Sequence, residues 1–143
     1  MTGRIFDRNN VSSDALADVL LRGYGSGASV AIHKGSQGEL RITEPDLVFY
    51  VRPIPECDVI KLFQIYRLDS RIPNSTRMEL LNRLNSEAIM VRGAIISGGS
   101  ELLIHYDIVM GLGIYERQFL ATLGRFKDIA SSVGHPESGF GCI

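Results

Sequence analysis

Few residues of this chain have the types and spacing that catalysis or metal binding requires. The three histidines, His33, His105 and His135, lie far apart, whereas local metal motifs place their ligands about one helical turn apart. His105 and Asp107 are two residues apart on a predicted strand and therefore share a face. That pair could orient a proton-transfer site, although a polar pair on the solvated face of an antiparallel sheet is the simpler interpretation.

A glycine-rich segment, Gly23-Tyr24-Gly25-Ser26-Gly27, suggests a phosphate loop because glycine lets backbone amides approach phosphate closely. A P-loop ends in Gly-Lys-Ser/Thr where a helix begins, and a dinucleotide loop follows a strand. This segment lacks such an ending and follows a predicted helix. It therefore favours a plain helix stop.

The two cysteines, Cys57 and Cys142, match no CxxC spacing, and no neighbouring residue identifies a base for either thiol. The first ten residues are polar and lack the apolar core of a signal peptide. Free thiols in a reducing, cytoplasmic compartment are therefore expected. Because no acid, base and nucleophile can be assembled from spacing, the sequence predicts no catalytic residue, no cofactor, no metal ligand and no enzymatic activity.

Composition limits the class of partner. The chain has 143 residues and a formal net charge of -1, from 15 basic and 16 acidic residues. That balance provides no overall field to attract nucleic acid or an anionic membrane. No run of about 18 apolar residues occurs. We therefore expect one domain over residues 1–143, with its core over about 11–133 and a loose tail over 134–143, and neither a nucleic-acid nor a membrane partner.

Hydrophobic periodicity predicts the elements that would position any site. Ser12 and Ser13 can cap a first helix, Gly98-Gly99 suits a hairpin turn that needs positive φ, and Thr76 with Glu79 has capping-box spacing. Pro53 and Pro55 should end the strand before them. Helices are expected over residues 11–22, 75–88 and 115–133, and strands over 39–43, 47–52, 57–68, 89–96 and 102–110, with a short apolar run over 28–32 left open.

The strand predicted over residues 57–68 is apolar on both faces. Ile60 and Leu62 share one face, whereas Phe63 and Ile65 share the other. A strand of this kind belongs in the middle of a sheet that is covered on both sides. In a domain this small the second cover can be a partner subunit, so we expect a homodimer.

The order of these elements predicts an α+β fold, an antiparallel sheet packed by helices in the order α-β-β-β-α-β-β-α. From residue 39 to 132 this order resembles the YbjN domain family, bacterial proteins with a fold like that of type III secretion chaperones. The stretch Asn82-Arg83-Leu84-Asn85 is similar to that family's Asn-Arg-aromatic-Asn pattern, with Leu84 in place of the aromatic residue. The resemblance implies a small, cytoplasmic, often dimeric and non-enzymatic domain.

Three functional hypotheses follow from these expectations. The first is a chaperone-like protein-interaction module, whose protein or peptide partner docks on apolar sheet surface or on a strand edge. The second is a small-molecule-binding regulatory domain, with Tyr66, His105 and Tyr106 lining an enclosed pocket. The third, an enzyme, has the least support. Asn82, Arg83 and Asn85 form either a solvated helix face or hydrogen bonds to a strand or partner.

Overall fold

The structure is a computed structural model that describes residues 4–25, 29–88 and 90–143. Its described residues form three helices and eight strands. The helices are α1 (Ser13–Tyr24), α2 (Asn74–Glu87) and α3 (Glu116–Gly134), and the strands are β1 (Ile5–Phe6), β2 (Ala31–Lys34), β3 (Leu40–Glu44), β4 (Leu47–Ile54), β5 (Val59–Arg67), β6 (Arg92–Ile96), β7 (Glu101–Val109) and β8 (Ile114–Tyr115).

The predicted α+β class, with an antiparallel sheet packed by helices, is confirmed. Six strands form one sheet in the order β2-β3-β4-β5-β7-β6. The β2–β3, β3–β4 and β6–β7 pairs are antiparallel. The predicted order gains one strand before β3, together with the two-residue strands β1 and β8, which pair with each other. No helix in the described ranges is both long and apolar enough to cross a membrane.

Several predicted boundaries shift. The apolar run over residues 28–32 contributes a strand only from Ala31, and its first residue lies outside the described ranges, as does Ile89 of the strand predicted over 89–96. Cys57 belongs to a single 3-10 turn and not to β5. Pro53 was wrongly expected to end its strand, because it lies inside β4. It lies beyond Val51, the last β4 residue that pairs with β3, where a missing amide costs no bond of that ladder.

The described residues divide into two compact units. The first comprises those of Met1–Leu62 and Asp107–Arg125, and the second comprises Phe63–Tyr106 and Phe126–Ile143. In the first unit α1 begins as predicted, because the Ser12 side chain accepts a hydrogen bond from the Ala15 amide at 3.1 Å. The largest fully buried side chains of the first unit are Phe6, Leu16, Leu20, Leu40, Ile42, Phe49, Ile60, Leu62 and Phe119.

Glu116 joins three elements of the first unit at the start of α3. Its carboxylate accepts the Arg4 amide at 3.0 Å and pairs with the Arg22 guanidinium of α1 at 2.8 Å. The Glu116 side chain is only 11% exposed, so both bonds lie in a partly desolvated setting. A carboxylate in the first turn also interacts favourably with the positive end of the helix dipole.

In the second unit the predicted capping box is absent. The N-cap of α2 is Pro73, which offers no capping side chain. The helix begins at Asn74, so Thr76 lies inside its first turn. The hairpin between β6 and β7 turns through Gly98 at φ 70° and Gly99 at φ 99°, as the glycine pair predicted. The turn itself is a short 3-10 turn.

The segment after α3 is packed, which corrects the expected loose tail. Phe140 is buried, and the backbone of Cys142 forms an isolated antiparallel β-bridge with Leu68. The Ile143 amide donates to the Arg67 carbonyl at 2.9 Å. This segment therefore continues the backbone pairing of the β5 end, a role that its polar, glycine-containing sequence did not indicate.

We expect replacement of Glu116 by alanine to lower the free energy of unfolding by about 2 kcal/mol, because it removes a charged acceptor and leaves the Arg4 amide without that partner. Urea denaturation of the wild type and the Glu116→Ala variant measures the difference. The control is Asp18→Ala, whose more exposed carboxylate contacts Arg22 at 3.4 Å and should contribute less than about 1 kcal/mol. Equal losses in the two variants would contradict this assignment.

Stability should fall as the pH rises above about 9. Burial raises the pKa of the Cys142 thiol from 9.0 to about 11. Burial, with the nearby Cys142 thiolate, raises the pKa of Tyr66 from 10.0 to about 12. Both groups ionise at lower pH in the unfolded chain than in the folded protein. Their contribution to stability is therefore complete at pH values below the ordinary pKa values, and it is lost as the pH rises toward the pKa values of the folded protein.

Thermal melts across this alkaline range measure the decline. The variant Tyr66→Phe, Cys142→Ala should show a flatter dependence on pH because neither position can then ionise. Identical slopes for variant and wild type would count against the assignment.

Candidate functional site

The glycine-rich segment after α1 is a helix stop over the residues that the structure describes. Gly25 ends α1 at φ 75°, and its amide bonds to the Leu21 carbonyl; Ser26 and Gly27 lie outside the described residues. Tyr24 donates its hydroxyl hydrogen to the Glu44 carboxylate. The C-terminal end of a helix carries the negative end of its dipole. It is therefore poorly suited to a phosphate.

The histidines have no metal partners in the described part of the chain, where no cluster of three or more His, Cys, Asp or Glu residues occurs. His33 lies on β2 and His105 on β7. His135 begins a 3-10 turn and accepts the Glu137 amide through Nδ1 at 3.2 Å. Asp107, predicted as a polar neighbour of His105, pairs with Lys61 at 3.2 Å, in keeping with a solvated sheet face.

The cysteines and tyrosines also fail to assemble a site. Cys57 is exposed, and Cys142 is partly buried as a free thiol. The Tyr66 hydroxyl donates to the Ala130 carbonyl of α3 at 2.7 Å. It therefore lies on the helix-covered face of the sheet. His105 alternates with the buried Ile104 and points to the other face, so the pocket expected between Tyr66, His105 and Tyr106 is not formed.

Of Asn82, Arg83 and Asn85, it is Asn85 that forms hydrogen bonds to a strand. Its Oδ1 accepts the Gly93 amide at 2.7 Å, and its Nδ2 donates to the Gly93 carbonyl at 3.1 Å. Gly93 lies on the edge strand β6, so this side chain occupies the place of a neighbouring strand. A Cβ at position 93 would meet Leu84 Cδ2 at 2.7 Å, so any larger residue there would require the Leu84 side chain to move.

One face of the sheet is more exposed than the other in the second unit. On β5 the Gln64 side chain is buried, whereas Ile65 is 37% exposed. Leu103 similarly alternates with the buried Leu102 and Ile104. We call the apolar side chains of the more exposed face the open patch: Ile65 and the partly buried Phe63, Ala94, Ile96 and Leu103.

The outer sheet positions of the first unit are mixed. Arg41 and Thr43 on β3 and Lys61 on β5 are polar, whereas Val48 on β4, which pairs with Thr43, is 41% exposed. A polar outer face is what a solvated antiparallel sheet normally carries. Both units therefore depart from that pattern, and the open patch places five apolar side chains on three neighbouring strands.

Part of the open patch could be predicted from the sequence. The alternation of β5 places Phe63 and Ile65 on one face, for which cover was expected. Ala94, Ile96 and Leu103 were not predicted, because the stronger alternation of β7, from Leu102 onward, concerns the opposite face. The signal that could have indicated them is Leu103, an apolar residue between the inward-facing positions of β7. The register of the hairpin pairs it with Ala94.

The sequence matches no protein-family model and no curated protein. Among solved structures it is similar to the crystal structure of YbjN from E. coli, described as a candidate transcription regulator. The TM-score is 0.70, with 13% sequence identity, and the match covers 86% of this chain and 88% of that one. At this level of identity the likeness concerns the fold alone, and the chain has a YbjN-like fold.

Proposed function

We propose that this protein is a non-enzymatic, chaperone-like protein-interaction module that acts as a cytoplasmic homodimer, with the open patch as the interface between its subunits. The observation that supports the proposal is the more exposed, apolar face of β5, β7 and β6 in the second unit. Apolar surface of this kind gains free energy when it is removed from water. Contiguous patches often mark protein contacts.

A second copy is the occupant that fits this patch best. A two-fold interface brings the same patch from each subunit together, so an apolar surface needs no separate partner of matching shape. Charged side chains are depleted at the centre of such interfaces and are found at the rim. Here the apolar residues are flanked by Arg67 and Glu101 at the strand ends.

The edge of β6 is less suitable than its face for docking an extended peptide. Asn85 occupies the backbone groups of Gly93 that point away from the sheet. A strand added at this edge would have to displace that side chain. The proposal therefore places the contact on the face of the sheet.

The description of YbjN as a candidate transcription regulator suggests how such a module could be used. With a net charge of -1, this chain has no overall positive charge to attract DNA. A regulatory role would accordingly operate through contacts with another protein. The small-molecule alternative predicts that a metabolite would stabilise the protein in a thermal-shift screen.

Sedimentation velocity tests the dimer directly. We expect the wild type to sediment as a dimer at micromolar concentration, and both Ile65→Asp and Leu103→Asp to raise its dissociation constant by about tenfold or more, because each would bury an unpaired carboxylate. The matched control is Val109→Asp, which adds the same charge to β7 at a residue that is 66% exposed and outside the patch.

A wild-type protein that remains monomeric throughout this concentration range contradicts the proposal. So does a set of variants in which Val109→Asp weakens the dimer as much as Ile65→Asp does. Circular dichroism of each variant confirms that the subunit itself remains folded.

A further inference from the structure

The first turn of α2 is an uncompensated helix N-terminus. Pro73 is the N-cap and supplies no capping side chain, and the first turn contains no acidic residue. The first backbone hydrogen bond of this helix runs from the Arg77 amide to the Pro73 carbonyl at 3.2 Å. The amides of Asn74, Ser75 and Thr76 have no acceptor among the described residues, and they carry the positive end of the helix dipole.

A buried guanidinium lies beside these amides. Arg77 is only 4% exposed, and it donates from Nη1 to the Gly99 carbonyl at 3.1 Å and from Nη2 to the Asp69 carbonyl. Its Nε is buried and has no hydrogen-bond partner within the described residues. Because both of these hydrogen bonds go to neutral carbonyls, they offset the desolvation of the buried cation less well than a bound carboxylate would.

The nearest carboxylate is already engaged. Asp69 accepts the Arg71 guanidinium at 2.7 Å and the Arg71 amide at 2.9 Å. These bonds to Arg71, with a smaller contribution from the charge of Arg77, lower the pKa of Asp69 to about 2. Arg71 is thus the main partner of this carboxylate, and Asp69 offsets the charge of Arg77 only in part.

A pocket lies at this end of α2. It has a volume of about 400 Å³, and its lining includes Arg77 together with Pro73 and Asn74 at the start of the helix. Ser70 and Asn74 add hydroxyl and amide donors at its wall. Across the pocket, Gly98 and Gly99 present backbone with nothing within 4 Å of where a Cβ would be. The volume is within the range of about 300–1,000 Å³ that is typical of small-molecule sites.

We propose that this pocket binds the phosphate group of a small phosphorylated molecule, with the α2 amides and Arg77 as its donors. Helix amides bind phosphate oxygens because they combine directed N–H groups with the positive dipole end. A guanidinium adds charge-assisted hydrogen bonds to the same oxygens. The pocket exceeds the size of a bare phosphate, which leaves room for an organic group. This site lies beyond the proposed interaction role and does not depend on dimerisation.

The test is an NMR titration of the full chain with inorganic phosphate and with glycerol 3-phosphate, each against sodium chloride at matched ionic strength. Saturable shifts are expected at the amides of Asn74, Ser75 and Thr76 and at the Nε–H of Arg77. Tighter binding of glycerol 3-phosphate identifies a phosphorylated molecule as the ligand. Equal binding identifies free phosphate, and either result supports the site. Shifts that sodium chloride reproduces would overturn it.

Two isosteric variants on the same helix supply the control. Asn74→Asp places a carboxylate at the helix N-terminus, where it should leave the fold at least as stable yet weaken phosphate binding by about tenfold or more. Asn82→Asp makes the same change on the exposed side of α2, about two turns away, and should leave phosphate binding nearly unchanged. Equal affinity of the two variants would overturn the proposal.

Arg77→Gln tests the guanidinium itself. Binding should be lost in a variant that still folds, and a folded variant that binds phosphate like the wild type contradicts the assignment. Because Arg77 also holds two backbone carbonyls, this variant can unfold. In that case the comparison of Asn74→Asp with Asn82→Asp decides the outcome.

Discussion

The alternation of side chains along β5 is the constraint on which this structure depends. A strand presents successive residues to opposite faces, and β5 has apolar residues on both. Ile60 and Leu62 are fully buried, whereas Phe63 is partly buried and Ile65 is 37% exposed on the opposite face. Removing the first set from water stabilises the folded chain. The second set supplies the apolar surface for which we propose a subunit interface.

Arg77 introduces a second constraint, of opposite character. Its guanidinium joins the loop that follows β5, through Asp69, to the β6–β7 turn, through Gly99. Two neutral carbonyls fix its position without neutralising its charge. One side chain therefore both ties two segments of the second unit together and lines the pocket for which we propose a phosphate ligand.

Much of the fold could be predicted from the sequence because its helices and strands have a regular hydrophobic periodicity. Ser12 does cap α1, and the alternation of β5 was read correctly. The errors arose where distant residues decide local structure: β1 and β8 are too short to show a period, and the residues near Cys142 pair with β5 only through tertiary contact. Arg77 received no role in the sequence analysis. It lies four residues before the buried Leu81, and that spacing places it on the inner face of α2.

The pair formed by Asn85 and Gly93 has an evolutionary consequence. A side chain at position 93 would meet the end of the Leu84 side chain, which would have to move for the hydrogen bonds between Asn85 and β6 to persist. Loss of Asn85 would in turn leave the β6 edge free to join other chains. Sequence drift at any of these three positions is therefore expected to be correlated, with a larger residue at 93 tolerated only in lineages that have shortened the residue at 84 and protected the edge by other means.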